Sequence, residues 1–238
     1  MLKVVAINSS KRKMNTYGVI TQVKKILESK GIFVEVINLF DYKIEDCIGC
    51  EICILKNKCV KKDDVSMLLE KIKTADGVIL SSPVYLQGVS GKIKTLFDRT
   101  CSWFHRPEVY GKPFLVISTT KGSGLKKTLD YLESIVVQWG GINAGTIGRN
   151  IRTIDTKVSE KECEKFIKLL NTDKKEYKPS LNSLINFQVQ KALSYHLIGL
   201  DEKYWKDRNW HNKLYYFDCN INIFKKVIAN STFKMMAK

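Results

Sequence analysis

A chain of 238 residues is long enough to bury one α/β core and carry an appendage, and it holds no apolar run near the roughly 20 residues of a membrane-spanning helix. Its 40 Lys and Arg against 24 Asp and Glu give a net charge of +16. The lysine pairs are scattered, as at Lys24-Lys25, Lys61-Lys62, Lys126-Lys127, Lys174-Lys175 and Lys225-Lys226, which argues against a nucleic-acid partner and for attraction of anionic cofactors such as a nicotinamide phosphate.

From Leu2 to Ile7 the chain is continuously apolar, the pattern of a strand covered on both faces. No basic or apolar leader precedes it, so the chain is expected in the cytoplasm. There the seven cysteines, an odd number, serve as metal ligands or free thiols rather than disulfides. Asn8 to Thr16 follow, and helical periodicity runs from Thr16 to Ser29. Hydroxyls, amides and cations ahead of a helix make an anion site, because free N–H groups and the helix dipole both favour a phosphate there. The dinucleotide pattern G-x-G-x-x-G is absent, and so is the G-x-x-x-x-G-K-[ST] pattern of nucleoside triphosphate sites.

Phe33 to Leu39 reads as the second strand, and past it Cys47, Cys50, Cys53 and Cys59 form a C-x2-C-x2-C-x5-C run within thirteen residues. A sulfur every three residues brings three thiolates to one side of a tight loop that Gly49 lets wrap, and the fourth can fold back to close a cuboidal cluster. Lys56, Lys58, Lys61 and Lys62 are expected to stabilise such a cluster and to depress the thiol pKa values. Two other readings of the run stand beside this one: a cramped zinc site, and a set of redox-active or buried thiols without metal. Cys101, Cys163 and Cys219 have no partners in sequence and are read as packing residues. His105, His196 and His211 are isolated and read as surface or tail residues.

Helical periodicity returns over Asp63 to Lys73, then a strand over Gly77 to Ser81. The loop Ser81 to Gly91 carries Pro83, which stiffens a turn, and Gly88 and Gly91, which admit a flat ligand that Tyr85 or Leu86 could cover. A helix over Ser90 to Cys101, a strand over Phe114 to Ser118 and the loop Ser118 to Gly124 follow. The next helix is Gly124 to Trp139, then a weaker strand Ile142 to Ile147 and a helix Glu160 to Leu170. Five strand–helix alternations predict a doubly wound, five-stranded parallel sheet with its ligand at the carboxyl ends of the strands. Residues 1–170 form this domain, and 171–238 an aromatic-rich, mainly helical C-terminal extension for packing, oligomerisation or lid closure. Within it Leu184, Phe187, Val189, Ala192, Leu193, Tyr195 and Leu197 recur near helical spacing.

The stretches NSSKRKMNT, SSPVYLQGVSGKIKTLFDR and STTKGSG resemble those of the flavodoxin-like NAD(P)H-dependent FMN reductase superfamily, over roughly residues 1 to 170. By that resemblance Ser9, Ser10, Arg12, Asn15 and Thr16 bind the FMN phosphate. Pro83, Val84, Tyr85, Leu86 and Gln87 border the ribityl chain and isoalloxazine, and Ser118, Thr119, Thr120, Lys121 and Gly122 touch the ring. Asn8 stands where many members have Gly, and Lys13 where a small residue is frequent. The cysteine run resembles that of the iron-sulfur flavoproteins, which hold a [4Fe-4S] cluster near FMN. The resemblance implies an FMN-dependent oxidoreductase without a catalytic triad, since the flavin carries the chemistry. Its donor is NAD(P)H or a reduced ferredoxin-type carrier, its acceptor a small molecule or protein, and it works as a homodimer or homotetramer. The alternative is a flavin electron carrier or redox sensor without NAD(P)H turnover.

Overall fold

The computed structural model describes residues 1–236, so Ala237 and Lys238 of the predicted extension lie outside the described residues. Strands β1 (Lys3–Asn8), β2 (Phe33–Asn38), β3 (Gly77–Pro83), β4 (Pro113–Thr119) and β5 (Ile142–Arg149) form one parallel sheet in the order β2-β1-β3-β4-β5. The chain leaves β1 to one side and returns on its other side, which opens a crevice at the carboxyl ends of β1 and β3.

Every residue of β3 and β4 is buried, which is why their sequences are continuously apolar. Side-chain alternation splits the core in two. Val4, Ala6 and Ile117 pack under α1 (Asn15–Glu28) and α7 (Glu160–Asn171) through Ile20, Val23 and Phe166. Val5, Ile7 and Val116 face α3 (Val65–Thr74), α4 (Gly91–Asp98) and α6 (Leu125–Gln138) through Leu68, Leu96 and Leu132. The fifth strand is weak in sequence because it is an edge strand of alternating burial, with a register shift opposite Phe114 and Leu115.

Two short helices are additions to the sequence reading: α2 (Ile52–Lys56), inside the cysteine run, and α5 (Cys101–His105). The predicted helix over Ser90 to Cys101 instead breaks after Asp98. There Thr100 turns back, donating Oγ1 to the Phe97 carbonyl at 2.7 Å and accepting the Trp139 indole N–H at 3.0 Å. A hydroxyl that bonds its own backbone competes with helix continuation.

The extension adds α8 (Leu181–Ser194), α9 (Leu200–Asp207) and α10 (Ile223–Met236) around a third core of Leu184, Phe187, Trp205, Trp210, Tyr215 and Tyr216. Leu184, Phe187 and Ala192 face inward as the spacing predicts, whereas Leu193 and Tyr195 are exposed. Ser183, Gln188, Gln190, Lys191 and Ser194 of α8 are buried as well. Gln190 donates to the carbonyls of Gln138 (2.9 Å) and Phe104 (3.1 Å) and accepts the Tyr216 hydroxyl (2.6 Å), joining the extension to α5 and α6. No helix of the described residues is long and apolar enough to cross a membrane.

Candidate cofactor sites

The loops after β1, β3 and β4 enclose a cleft of about 250 Å³. Into it the first loop brings Ser10, Arg12, Asn15 and Thr16, the second Pro83, Val84 and Tyr85, and the third Thr119, Thr120 and Lys121. Met14 also lines it, an apolar residue that carries no sequence signal beyond its place ahead of a helix.

Asn8 builds the first loop. Its side-chain amide donates to the Ser10 carbonyl at 3.0 Å and to Asn38 Oδ1 at 2.9 Å, while its Oδ1 accepts the Ser10 N–H at 3.2 Å. This fold-back gives Asn8 a structural role in the first loop. The chain then enters α1 at Met14 with no side-chain cap and no acid in the first turn. The free N–H groups of a helix start and the cations Lys11, Arg12 and Lys13 before it are the donor set a phosphate needs. Thr16 Oγ1 meets Thr119 Oγ1 at 2.7 Å and ties α1 to the third loop.

Ser9 lies behind this surface, fully buried. Its hydroxyl donates to the Ser81 carbonyl at 2.8 Å and accepts from Ser90 Oγ at 2.9 Å, so it binds the first loop to the second.

The second loop turns back on itself through a Tyr85–Gly88 pair, N–H to carbonyl in both directions at 2.9 and 3.1 Å. Leu86 (φ 45°) and Gln87 (φ 69°) sit at its tip in the left-handed region, a conformation that costs non-glycine residues free energy and collects at binding sites. Leu86 is wholly exposed and lies outside the cleft lining, as does Gln87, whose amide instead reaches Ser123 Oγ of the third loop. Gly124 (φ 88°) makes that approach feasible, since a Cβ there would stand 3.0 Å from Gln87 Cα. Ser118 occupies the same strand face as Val116, away from Thr119. It is fully buried with an unpartnered hydroxyl. Gly122 donates its N–H to Thr120 Oγ1 at 3.0 Å, shaping the third loop rather than lining the cleft.

A second cavity, of about 130 Å³, gathers Cys47, Cys50, Cys53 and Cys59 with Ile48, Val60, Lys61 and Arg99. Cys101, read from sequence as a packing residue, is exposed and lines the same cavity. It arrives from α5, far along the chain, so spacing could not reveal it. Gly49 (φ 66°), Glu51 (φ 57°) and Asn57 (φ 52°) give the loop its reversals, the last two flanking α2.

The loop is pinned by a buried ion pair. Arg99 donates to both carboxylate oxygens of Asp63 at 2.6 and 3.0 Å, to the Glu45 carbonyl at 2.7 Å and to Cys59 Sγ at 3.2 Å. Asp63 accepts the Glu45 N–H at 2.8 Å. Against its own burial, hydrogen bonding to Arg99 holds its carboxyl below the usual range. The expected lowering of thiol pKa by the loop lysines is corrected at Cys53. Burial pushes that thiol up, and the neighbouring Cys59 and Cys47 push it further. Lys61 is engaged by Glu45 at 3.3 Å.

Among the described residues no group of three His, Cys, Asp or Glu side chains is placed to hold one metal ion. A cuboidal cluster presents a separate iron to each thiolate, so it calls for sulfurs spread around a cavity. Four thiols around a largely apolar pocket, with a guanidinium donating to one sulfur, fit that demand. Between the two sites runs α4, which begins beside the second loop and ends at Arg99, about 12 Å of helix.

Residues 2–157 match the family model described as NADPH-dependent FMN reductase. An iron-sulfur flavoprotein of Archaeoglobus fulgidus is 30% identical over 223 residues, covering 88% of this chain and 100% of that protein. One from Clostridioides difficile is 30% identical over 195 residues, covering 77% and 85%. Among solved structures, RosB with a bound 8-demethyl-8-formylriboflavin-5'-phosphate intermediate superposes with a TM-score of 0.55 at 14% identity, covering 94% of this chain and 92% of that one, a likeness of fold.

Proposed function

The chain belongs to the NADPH-dependent FMN reductase family, in its iron-sulfur flavoprotein branch, and from that membership we propose how this FMN-dependent oxidoreductase is supplied and discharged. NAD(P)H or a reduced ferredoxin-type carrier would be the electron donor and a small molecule or protein the acceptor; the three-loop cleft would hold FMN, and Cys47, Cys50, Cys53 and Cys59 would hold a [4Fe-4S] cluster. When bound, FMN supplies hydride acceptance and release of electrons singly or in pairs, and the cluster supplies one-electron exchange.

The observation that carries this reading is the uncapped, acid-free start of α1 opening into a cleft that all three loops line. Ser10, Asn15, Thr16 and the first N–H groups of α1 would hold the phosphate, with Arg12 as its counter-charge. Pro83 to Tyr85 and Thr119 to Lys121 would flank the ring, and Leu86, exposed at the loop tip, would fold over its edge. Lys121 would place a positive charge beside the ring. Arg99 would keep its hydrogen bond to Cys59 Sγ in a four-thiolate cluster. No side chain of the cleft is asked to act as acid or base. Residues 1–170 as the cofactor domain and the extension as its packing partner, a cytoplasmic setting, and a homodimer or homotetramer complete the proposal. Ile223, Phe224 and Val227 on α10 are exposed and supply apolar surface for association.

The test is an absorption spectrum of anaerobically purified protein, with iron and acid-labile sulfide assayed on the same sample. Flavin bands with about four irons per chain are expected. Flavin without iron would reduce the cysteine run to a thiol loop, and absence of flavin would overturn the whole reading. Steady-state turnover with NADPH and NADH then separates the reductase from a carrier or sensor, which would show none.

A further inference from the structure

The one-turn helix α2 carries Cys53 and cannot hold itself. A turn of five residues returns too few hydrogen bonds to offset its nucleation cost, and none of its residues is buried. Its unpaired carbonyls are met from outside, which helix ends require. Arg106, the residue that closes α5 and is 3% exposed, donates Nη2 to the Cys53 carbonyl at 2.8 Å and to Asn57 Oδ1 at 3.3 Å, and Nη1 to the Ile54 carbonyl at 3.1 Å.

The same guanidinium pairs with Oδ1 of Asp201, which is 4% exposed in the first turn of α9. Asp201 Oδ2 lies 3.2 Å from His105 Nδ1, so His105 is part of this junction rather than a free surface residue. An arginine buried to this extent needs its carboxylate, since an unpaired buried charge is strongly unfavourable. A continuous polar path therefore runs from the C-terminal extension, through Asp201 and Arg106, to the backbone of a cysteine in the loop.

We propose that Arg106, held by Asp201, is a positioning residue for the four-cysteine loop, and that the C-terminal extension serves as the clamp that fixes Cys53. This rests on reading Cys53 as a cluster ligand. Arg106 acts on the carbonyl side of the loop, whereas Arg99 donates to a sulfur. Both the retention of the cluster and its reduction potential depend on the Arg106–Asp201 pair, because hydrogen bonding and fixed charge around the ligands set that potential.

The test uses the full chain as purified, with Asp201→Asn, Arg106→Gln and, as control, Glu202→Gln at the exposed pair with Lys206. Iodoacetamide labelling is followed by mass spectrometry at Cys53 and at the buried Cys163. Labelling of Cys53 is expected to accelerate at least tenfold in both junction variants, with Cys163 unchanged and the control at the wild-type rate. An unchanged Cys53 rate, or equal acceleration at Cys163, overturns the clamp, the latter because it marks general loosening.

In protein containing iron, the cluster midpoint potential gives a second readout. Asp201→Asn leaves a positive charge uncompensated beside the loop and shifts the potential upward. Arg106→Gln shifts it downward, each by a tenfold change in equilibrium constant, 59 mV for one electron. Shifts of the same sign would overturn the electrostatic part of the proposal. Absence of iron from the wild-type protein would overturn the ligand reading alone, while the labelling still decides the clamp.

Discussion

Lys121 is the cation that the third loop sets at the cleft, and its role is separable from holding the cofactor. In the proposed site the phosphate would be held by the start of α1 and its hydroxyls, so Lys121→Ala is expected to lower the flavin midpoint potential while weakening FMN binding less than tenfold. Spectroelectrochemical titration beside a binding titration checks this, and an unchanged potential would remove Lys121 from the redox role. Cys101 poses a similar question, since five cysteines line a cavity that four would fill. Cys101→Ser is expected to keep about four irons per chain, whereas Cys53→Ser is expected to lose at least half, read by iron assay after anaerobic purification. A loss of iron in Cys101→Ser would make it a ligand. The four clustered cysteines were legible because they are close in sequence, and Cys101 was not because only the break after α4 delivers it. Likewise Ser9 and Ser10 are alike on paper. The neighbouring β3 takes the Ser9 hydroxyl at the Ser81 carbonyl, while Ser10, bonded to the Arg12 carbonyl at 2.8 Å, lines the cleft.

At the scale of elements, the strands and the long helices of residues 1–170 follow from apolar runs and helical periodicity. The short ones do not. Helices α2 and α5 each have five residues, less than the window over which periodicity can be read, and they exist because neighbours satisfy their ends. The edge of the sheet shows a related dependence. β5 is held to α7 by Arg149, which donates to both oxygens of Glu162 at 2.9 and 3.0 Å, while Glu162 also accepts the Ser159 N–H at 2.9 Å and so closes the start of α7. Hydrogen bonding to Arg149 lowers the Glu162 pKa below its usual value of 4.5, against the effect of partial burial. A carboxyl whose folded pKa is depressed contributes stability that is present above its unfolded pKa and is lost as pH falls through the folded value. Glu162→Gln is therefore expected to lower Tm at pH 7 by a few degrees and to flatten the decline of stability below about pH 4.5. Thermal melts of both proteins across that range decide it, and parallel acid profiles would show that the pair contributes nothing to acid sensitivity.

Taken as a whole molecule, the chain sets four exposed cations where the cleft opens. Of the net +16, Lys11, Arg12, Lys13 and Lys121 are all exposed at or beside the first and third loops, and the buried ion pairs of Arg99, Arg106 and Arg149 are internally compensated. A concentration of one sign at a concave site raises the local concentration of anions, by roughly ten- to a thousandfold in rate. The effect fades as the screening length falls from about 10 Å at 0.1 M salt to about 3 Å at 1 M. NADPH carries a phosphate that NADH lacks, so the field acts on it more strongly. Raising salt from low ionic strength to about 0.5 M is expected to raise KM for NADPH roughly tenfold, to raise KM for NADH less, and to leave kcat unchanged, because screening weakens the encounter and not the bound geometry. Steady-state kinetics across a salt series measures all three. A KM for NADPH that does not move would mean that the charge is ordinary surface and that the cleft selects its donor by contact alone. A KM that rises equally for both nucleotides would place the attraction on the shared diphosphate and remove the basis for preferring NADPH.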